Sequence, residues 1–434
     1  MEIAELYTLF RKYPSVTTDS RMCAKDSIFF ALKGEIFNGN LFADKALEAG
    51  CAYAVVDERP GDEPANERII LVDDVLTTLQ KLANYHRRKL KIPIIGITGT
   101  NGKTTTKELI AIALSREFKV AYTQGNFNNH IGVPLTLLSM NKSHEIGVVE
   151  MGANHPGDIR ALCEIAEPNY GLITNVGKAH LEGFGSFENV ISTKGELYDF
   201  IREHEGKVFV NKDNQILYEL SEGMDRILYG KNDPSLFASG AIADATPFLE
   251  FDWSFFDSSY RVKTSLAGEF NFDNAIAAVA VSKFFGINAE LISAALQEYE
   301  PQNYRSQFKR TERNDLIIDA YNANPTSMKA SLDFFTSIPS SVPKMVILGE
   351  MKELGAISEE EHLWMVNFIK NQSYDRVYLV GNVFRNLIPS DESYRFFEDV
   401  ESLIESLNAE PVTGHYILLK GSHSVHLEKA VDYL

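Results

Sequence analysis

Residues 97–106, Ile-Thr-Gly-Thr-Asn-Gly-Lys-Thr-Thr-Thr, combine glycines, a lysine and hydroxyls in a pattern suited to a polyphosphate. Gly99 and Gly102 let backbone N–H groups turn inward around an anion, and Lys103 adds a full positive charge. Thr104 is placed to give its hydroxyl to a magnesium ion. The usual spacing puts a glycine where Ile97 stands; Gly96 and Gly99 flank it instead. Three further side chains could act beside this loop. Glu150 ends a Val-Val run, where a carboxylate is poorly placed unless a cation meets it; taken by itself, a strand-end glutamate facing water is an equal alternative. His180 lies in the glycine-spaced segment 175–185 and can offer a neutral imidazole to a metal, although a lone histidine is more often structural. Lys194 reads most simply as a solvated lysine, because an ammonium beside magnesium would be repelled; a role there needs a changed charge state.

The loop needs a strand at one end and a helix at the other. Ile92, Ile94, Ile95 and Ile97 form a β-branched run fit for a buried strand, and Leu109, Ile110, Ala113 and Leu114 recur at helical spacing. Beyond the loop, strand-like runs at 146–150, 171–176 and 208–211 alternate with helix-like stretches, which argues for a mostly parallel sheet with helices on both faces. Residues 248–256 and 260–266 alternate like an antiparallel pair, and an alanine-rich helix is expected over 273–285, closed by Gly286. Before the loop, apolar runs at 27–32 and 52–56 flank a helix-like segment at 42–50, and the polar stretch 57–68 reads as a surface loop. From about residue 299, strands are expected at 316–319, 345–348, 377–380 and 416–419, with Ser358 to Glu361 a capping box for the helix that follows. The expected division is 1–86, 87–298 and 299–434, the last a second doubly wound domain.

A chain of 434 residues exceeds the roughly 250–300 at which single cores stop growing, so several domains are required. The net charge of −18 argues against a nucleic-acid partner, and any anion site must be built locally from lysines, loop amides and metal. No apolar run reaches the ~20 residues that span a bilayer, and Met1 to Glu5 lacks the basic start of a signal peptide. Cys23, Cys51 and Cys163 are few, odd in number and widely spaced, which suits a reducing cytoplasm.

The loop taken with four other segments resembles the Mur ligase family, the ATP-dependent amide ligases of peptidoglycan precursor synthesis. Those segments are 125–134 (Gly-Asn-Phe-Asn-Asn-His-Ile-Gly-Val-Pro), 150–155, 180–185 and 319–328 (Asp-Ala-Tyr-Asn-Ala-Asn-Pro-Thr-Ser-Met), in family order over nearly the whole chain. The resemblance implies three α/β domains: a smaller UDP-sugar-binding N-terminal domain, a central P-loop domain and a Rossmann-like C-terminal domain. It implies ATP and magnesium as cofactors, and UDP-N-acetylmuramoyl-tripeptide and D-alanyl-D-alanine as substrates of a monomer. Gly99, Thr100, Asn101, Gly102, Lys103, Thr104 and Thr105 would hold the phosphates, with Asn271 and Asn274 on adenine and Arg305 and Asp319 closing over the nucleotide. Thr104 and Glu150 would ligate one magnesium. His180 would bind a second, beside Lys194, which in the family carries a carbamate and so becomes an anion. Lys103, His180 and Lys194 would be the catalytic set. Ser20, Arg21 and Lys33 would hold the UDP-sugar end, and Asn126, Asn128, Asn129, Asn322 and Asn324 the remaining substrate.

Two positions depart from the family pattern: Phe270 stands where many relatives have His, and His423 where Arg is common. The implied reaction is amide formation through an acyl phosphate, with domain closure on binding because the sites are spread over three domains. The alternatives are a sister ligase or polyglutamate-type ligase with another amino-acid donor, and a nucleotide-dependent binding protein that has lost catalysis. An Asp-Asn-Pro-Arg acceptor motif for a diamino acid is missing, and retention of Glu150, His180 and Lys194 with Lys103 argues for catalysis.

Overall fold

Among the residues described by the computed structural model (1–58, 66–255, 258–302, 304–387 and 391–434), the strands form three sheets, one after another along the chain. The first has four parallel strands, Ser15–Thr17, Ser27–Phe30, Tyr53–Val56 and Ile69–Leu71, in chain order. Short connections with one helix, Ala43–Glu48, suffice because these strands are brief. Of the polar stretch expected as a surface loop, residues 59–65 lie outside those described.

The second sheet has nine strands. Its parallel part runs Asp225–Lys231, Lys207–Asn211, Tyr170–Ile173, Ile94–Thr98, Ile146–Glu150, Val120–Tyr122, with Ala238–Asp244 extending the far edge. Phe248–Phe255 and Ser258–Ala267 then add the expected antiparallel pair; residue 256 falls outside those described. Buried isoleucines and valines fill both faces of the central strands, as parallel sheets between helices require. The alanine-rich helix, Phe272–Phe284, is buried along nearly its whole length and packs with the helix Lys103–Leu114 over Ile95 and Ile97. Small side chains let these helices approach closely, so the residues after the phosphate loop are held from behind.

The third sheet has six strands, in the order Gln307–Arg310, Asp315–Asp319, Tyr416–Lys420, Lys344–Gly349, Arg376–Val380, Tyr394–Phe397, all parallel except the first pair. Two expectations change in detail. Residue 86 falls inside the helix Val75–Leu90, whose Val75, Leu79, Leu82 and Ala83 share one core with Ile28 and Val55 on one side and Val133 and Leu137 on the other. The capping box at Ser358 does not form: the helix Ser358–Lys370 grows directly out of the tight turn Gly355–Ile357, so Ser358 is already helical and its hydroxyl faces His362 Nδ1 at 3.4 Å.

Candidate active site

The strand Ile94–Thr98 lies between Tyr170–Ile173 and Ile146–Glu150, so three parallel strands deliver their following residues to one sheet edge. Open α/β sheets bind ligands at such an edge. The curve of the loop depends on Gly99 (φ 140°) and Gly102 (φ 78°). A methyl group on Gly99 would stand 2.0 Å from Thr174 Oγ1, and one on Gly102 2.3 Å from Asn274 Oδ1. Asn175 pins the apex, accepting from the Asn101 N–H at 2.9 Å and donating to the Asn101 carbonyl at 3.0 Å. The helix starts at Gly102 without a side-chain cap, which leaves first-turn N–H groups and the positive end of the dipole for an anion.

Lys103 Nζ is turned in on the loop, donating to the carbonyls of Gly99 at 2.7 Å and Thr100 at 3.0 Å. Burial of that ammonium pushes its pKa down to about 8; Glu150 opposes the fall and Arg305 adds to it. Glu150 is 1% exposed. Its Oε1 accepts from Thr104 Oγ1 at 3.2 Å and from Asn128 Nδ2 at 2.9 Å. Its Oε2 is buried and accepts no hydrogen bond. An orphaned carboxylate oxygen beside the loop hydroxyl is a hard oxygen set, and it fits a magnesium ion. The neighbouring cation is Lys107, itself 1% exposed, which lies 3.7 Å from Glu150 Oε2 and 3.8 Å from Glu108 Oε1. Lys107→Met strips a buried carboxylate of its counter-charge. The expected loss of unfolding free energy is about 3–5 kcal/mol by denaturant titration, and an unchanged midpoint would remove Lys107 from this arrangement.

His180 has φ 51° at the head of the short helix Leu181–Phe184, and its Nδ1 meets the Glu353 carboxylate. A hydrogen bond from that imidazole holds the Glu353 carboxyl below its usual range. Lys194 is 2% exposed, with Nζ 5.4 Å from the ring centre of Phe184, which His180 also meets edge-on. Burial, with Lys103 as a second cause, pushes the Lys194 ammonium down to about 7. Among the described residues no hydrogen bond or ion pair joins His180 or Lys194 to Thr104 or Glu150.

The third sheet presents Asp319 and Lys420 at adjacent strand ends. Asp319 Oδ2 accepts from Lys420 Nζ at 2.5 Å and Ser331 Oγ at 2.9 Å, while Oδ1 accepts from the Ser306 N–H at 3.2 Å. Arg305 lies over the Tyr321 ring, 3.6 Å to its centre. Asn322 Oδ1 accepts from the Ala323 N–H. Asn324 caps the helix Pro325–Ser337 through the Ser327 N–H at 2.9 Å and donates to Asn101 Oδ1 at 2.8 Å, so the third sheet already touches the phosphate loop. Asn324→Ala removes both contacts; a loss of about 1 kcal/mol from the cap alone is expected in thermal unfolding, and no loss would show that the cap is dispensable.

Asn271 and Asn274 are buried and spend their amides within the protein. Asn274 Oδ1 accepts from Thr106 Oγ1 at 3.0 Å, Asn274 Nδ2 donates to Asn271 Oδ1 at 2.9 Å, and Asn271 Nδ2 donates to the Ala267 carbonyl at 2.8 Å. They brace the loop through Gly102. Asn129 Oδ1 accepts from the N–H groups of Ile131 and Gly132 at the head of the next helix, whereas Asn126 is exposed. Ser20, Arg21 and Lys33 follow neighbouring strands of the first sheet. Arg21 is paired with Asp19, and Lys33 with Asp57 and Glu58. Sequence reasoning missed Lys107, Asn175 and Glu353. Lys107 sits one helical turn after Lys103, and Asn175 directly follows a strand; nothing local marks Glu353.

Three domain families match the chain: "Mur ligase family, catalytic domain" at residues 12–87, "Mur ligase middle domain" at 97–282 and "Mur ligase, glutamate ligase domain" at 304–423. The chain is 33% identical over 428 residues to UDP-N-acetylmuramoyl-tripeptide--D-alanyl-D-alanine ligase of Bacillus subtilis, covering 96% of this chain and 92% of that one. It superimposes on the crystal structure of MurF from Acinetobacter baumannii with a TM-score of 0.85 at 30% identity, covering 96% of this chain and 92% of that one. MurF ligase from Thermotoga maritima in complex with ADP gives a TM-score of 0.83 at 28% identity, covering 96% of both chains.

Proposed function

The chain belongs to the Mur ligase family, and we propose that it joins D-alanyl-D-alanine to the terminal carboxylate of UDP-N-acetylmuramoyl-tripeptide, converting ATP to ADP and phosphate. The observation that carries this reading is the meeting of Lys103, Thr104 and Glu150 at one sheet edge, in a chain similar along its length to ligases of that name. A tripeptide carboxylate oxygen attacks the γ-phosphorus, ADP leaves, and an acyl phosphate forms. The amine of D-alanyl-D-alanine then attacks the acyl carbon, loses a proton, and expels phosphate.

Two anions must meet in the first step, so positioning and fixed positive charge carry most of the catalysis. Lys103 exchanges the Gly99 and Thr100 carbonyls for phosphate oxygens. Thr104 and Glu150 would hold one magnesium ion, and His180 with a carbamate on Lys194 a second; bound magnesium supplies charge neutralisation of the phosphates. A lysine near pKa 7 exposes the neutral amine that adds CO₂, which supports the carbamate. Arg21 and Lys33 receive the UDP end by exchanging carboxylates for phosphate. Three free cysteines and no helix among the described residues long and apolar enough to cross a membrane agree with a cytoplasmic site of action. In this reading the chain acts as a monomer.

Phosphate release with UDP-N-acetylmuramoyl-tripeptides carrying diaminopimelate or lysine, with and without D-alanyl-D-alanine, tests the assignment. Release that requires both peptide substrates is expected; release indifferent to them would overturn it.

Nucleotide affinity should depend on pH. Free Lys103 loses its proton near 8, and bound triphosphate raises that pKa. Below 8 both forms are cationic and affinity is flat. Above 8 binding takes up a proton, and affinity falls by up to about tenfold per pH unit. A calorimetric titration with a non-hydrolysable ATP analogue checks this, with Lys103→Arg expected to flatten the profile.

A further inference from the structure

The turn that ends the third sheet carries a donor set that the ligase reaction does not use. The ligand atoms of His423, His426 and Glu428 all lie within 4.8 Å of one another. His423–Val425 forms a tight turn and His426 (φ 57°) reverses the chain, which brings His426 Nδ1 to 3.2 Å from Glu428 Oε1. The His423 ring is held on two sides, stacked on Tyr321 at 5.4 Å and edge-on to His426 at 5.5 Å. Independently of that proximity, Glu428 is only 17% exposed, and its Oε2 is buried with no hydrogen-bond partner. The carboxylate therefore meets one imidazole through Oε1 while Oε2 is left bare, so this three-residue cluster has donor capacity that the protein's own hydrogen bonds do not use.

We propose that His423, His426 and Glu428 bind a zinc-class divalent transition-metal ion, at a site separate from the magnesium position of Thr104 and Glu150. Two imidazoles and one carboxylate match three protein ligands with a fourth position for water, whereas magnesium and calcium favour all-oxygen shells. Because His423 stacks on the ring that Arg305 also covers, the ion steadies the Tyr321–Arg305 arm of the nucleotide site.

The test uses the full chain, stripped with a chelator and titrated with Co²⁺ in excess magnesium. One equivalent is expected to give visible d–d absorption typical of nitrogen and oxygen ligation, displaced by Zn²⁺, with no thiolate charge-transfer band. His426→Ala and Glu428→Gln, shown folded by circular dichroism and thermal melting, should each weaken binding at least about tenfold. Undiminished Co²⁺ binding in both variants would overturn the site, as would a spectrum dominated by thiolate bands or no saturable binding to the unmodified chain.

Discussion

Lys103→Ala is expected to form the ligation product at a rate lowered by about 10²–10³. The tripeptide carboxylate and the γ-phosphate are both anions, and their approach inside a water-poor site is opposed by a repulsion that bulk solvent no longer screens. Lys103 is the cation fixed at the N-terminus of the loop helix, with Nζ already turned toward the loop carbonyls. Alanine leaves the backbone N–H groups and the helix dipole in place, so nucleotide binding weakens less than turnover does. Steady-state kinetics with all three substrates check this. Near-normal product formation by a folded variant would remove Lys103 from the transition state.

Lys194→Ala is expected to lower the rate at least about 10–100-fold, the cost of losing a group that only orients a metal ligand, since the carbamate would hold the ion itself. As an ammonium this lysine repels a metal ion; as a carbamate it attracts one. The addition is of neutral amine to CO₂, giving the carbamate and a proton. With burial pushing the group down to about 7, the reactive neutral amine is available at neutral pH and declines as pH falls. Incubation with ¹³C-bicarbonate should therefore give a carbamate carbon resonance that weakens below pH 7 and is missing from Lys194→Ala. An identical spectrum for the variant, or wild-type turnover without Lys194, would contradict the role.

The parts of the site that were legible in the sequence are those whose chemistry is local. A β-branched run, two glycines and Lys103 within ten residues define a strand–loop–helix that the sheet then reproduces. Glu150 was readable because a carboxylate ending a buried strand needs a partner, and Thr104 and Asn128 supply it. Residues whose meaning depends on the tertiary fold were not legible. Glu353 reaches His180 from another sheet, and Lys107 looks like any helical lysine until two carboxylates close on it. Asn271 and Asn274 have a further part that their motif does not announce: their amides brace Gly102 and the loop helix. The serine at 358 had the right local pattern for a cap, and the preceding turn overrode it. Substrate identity rested on resemblance throughout, since the loop chemistry alone specifies only a nucleotide phosphate.

The central claim is that the tripeptide carboxylate is activated as an acyl phosphate, and the fate of its oxygen tests this directly. UDP-N-acetylmuramoyl-tripeptide labelled with oxygen-18 in the terminal carboxylate, turned over with ATP and D-alanyl-D-alanine, should give inorganic phosphate carrying one labelled oxygen per amide bond formed. Unlabelled phosphate accompanying amide formation would contradict it.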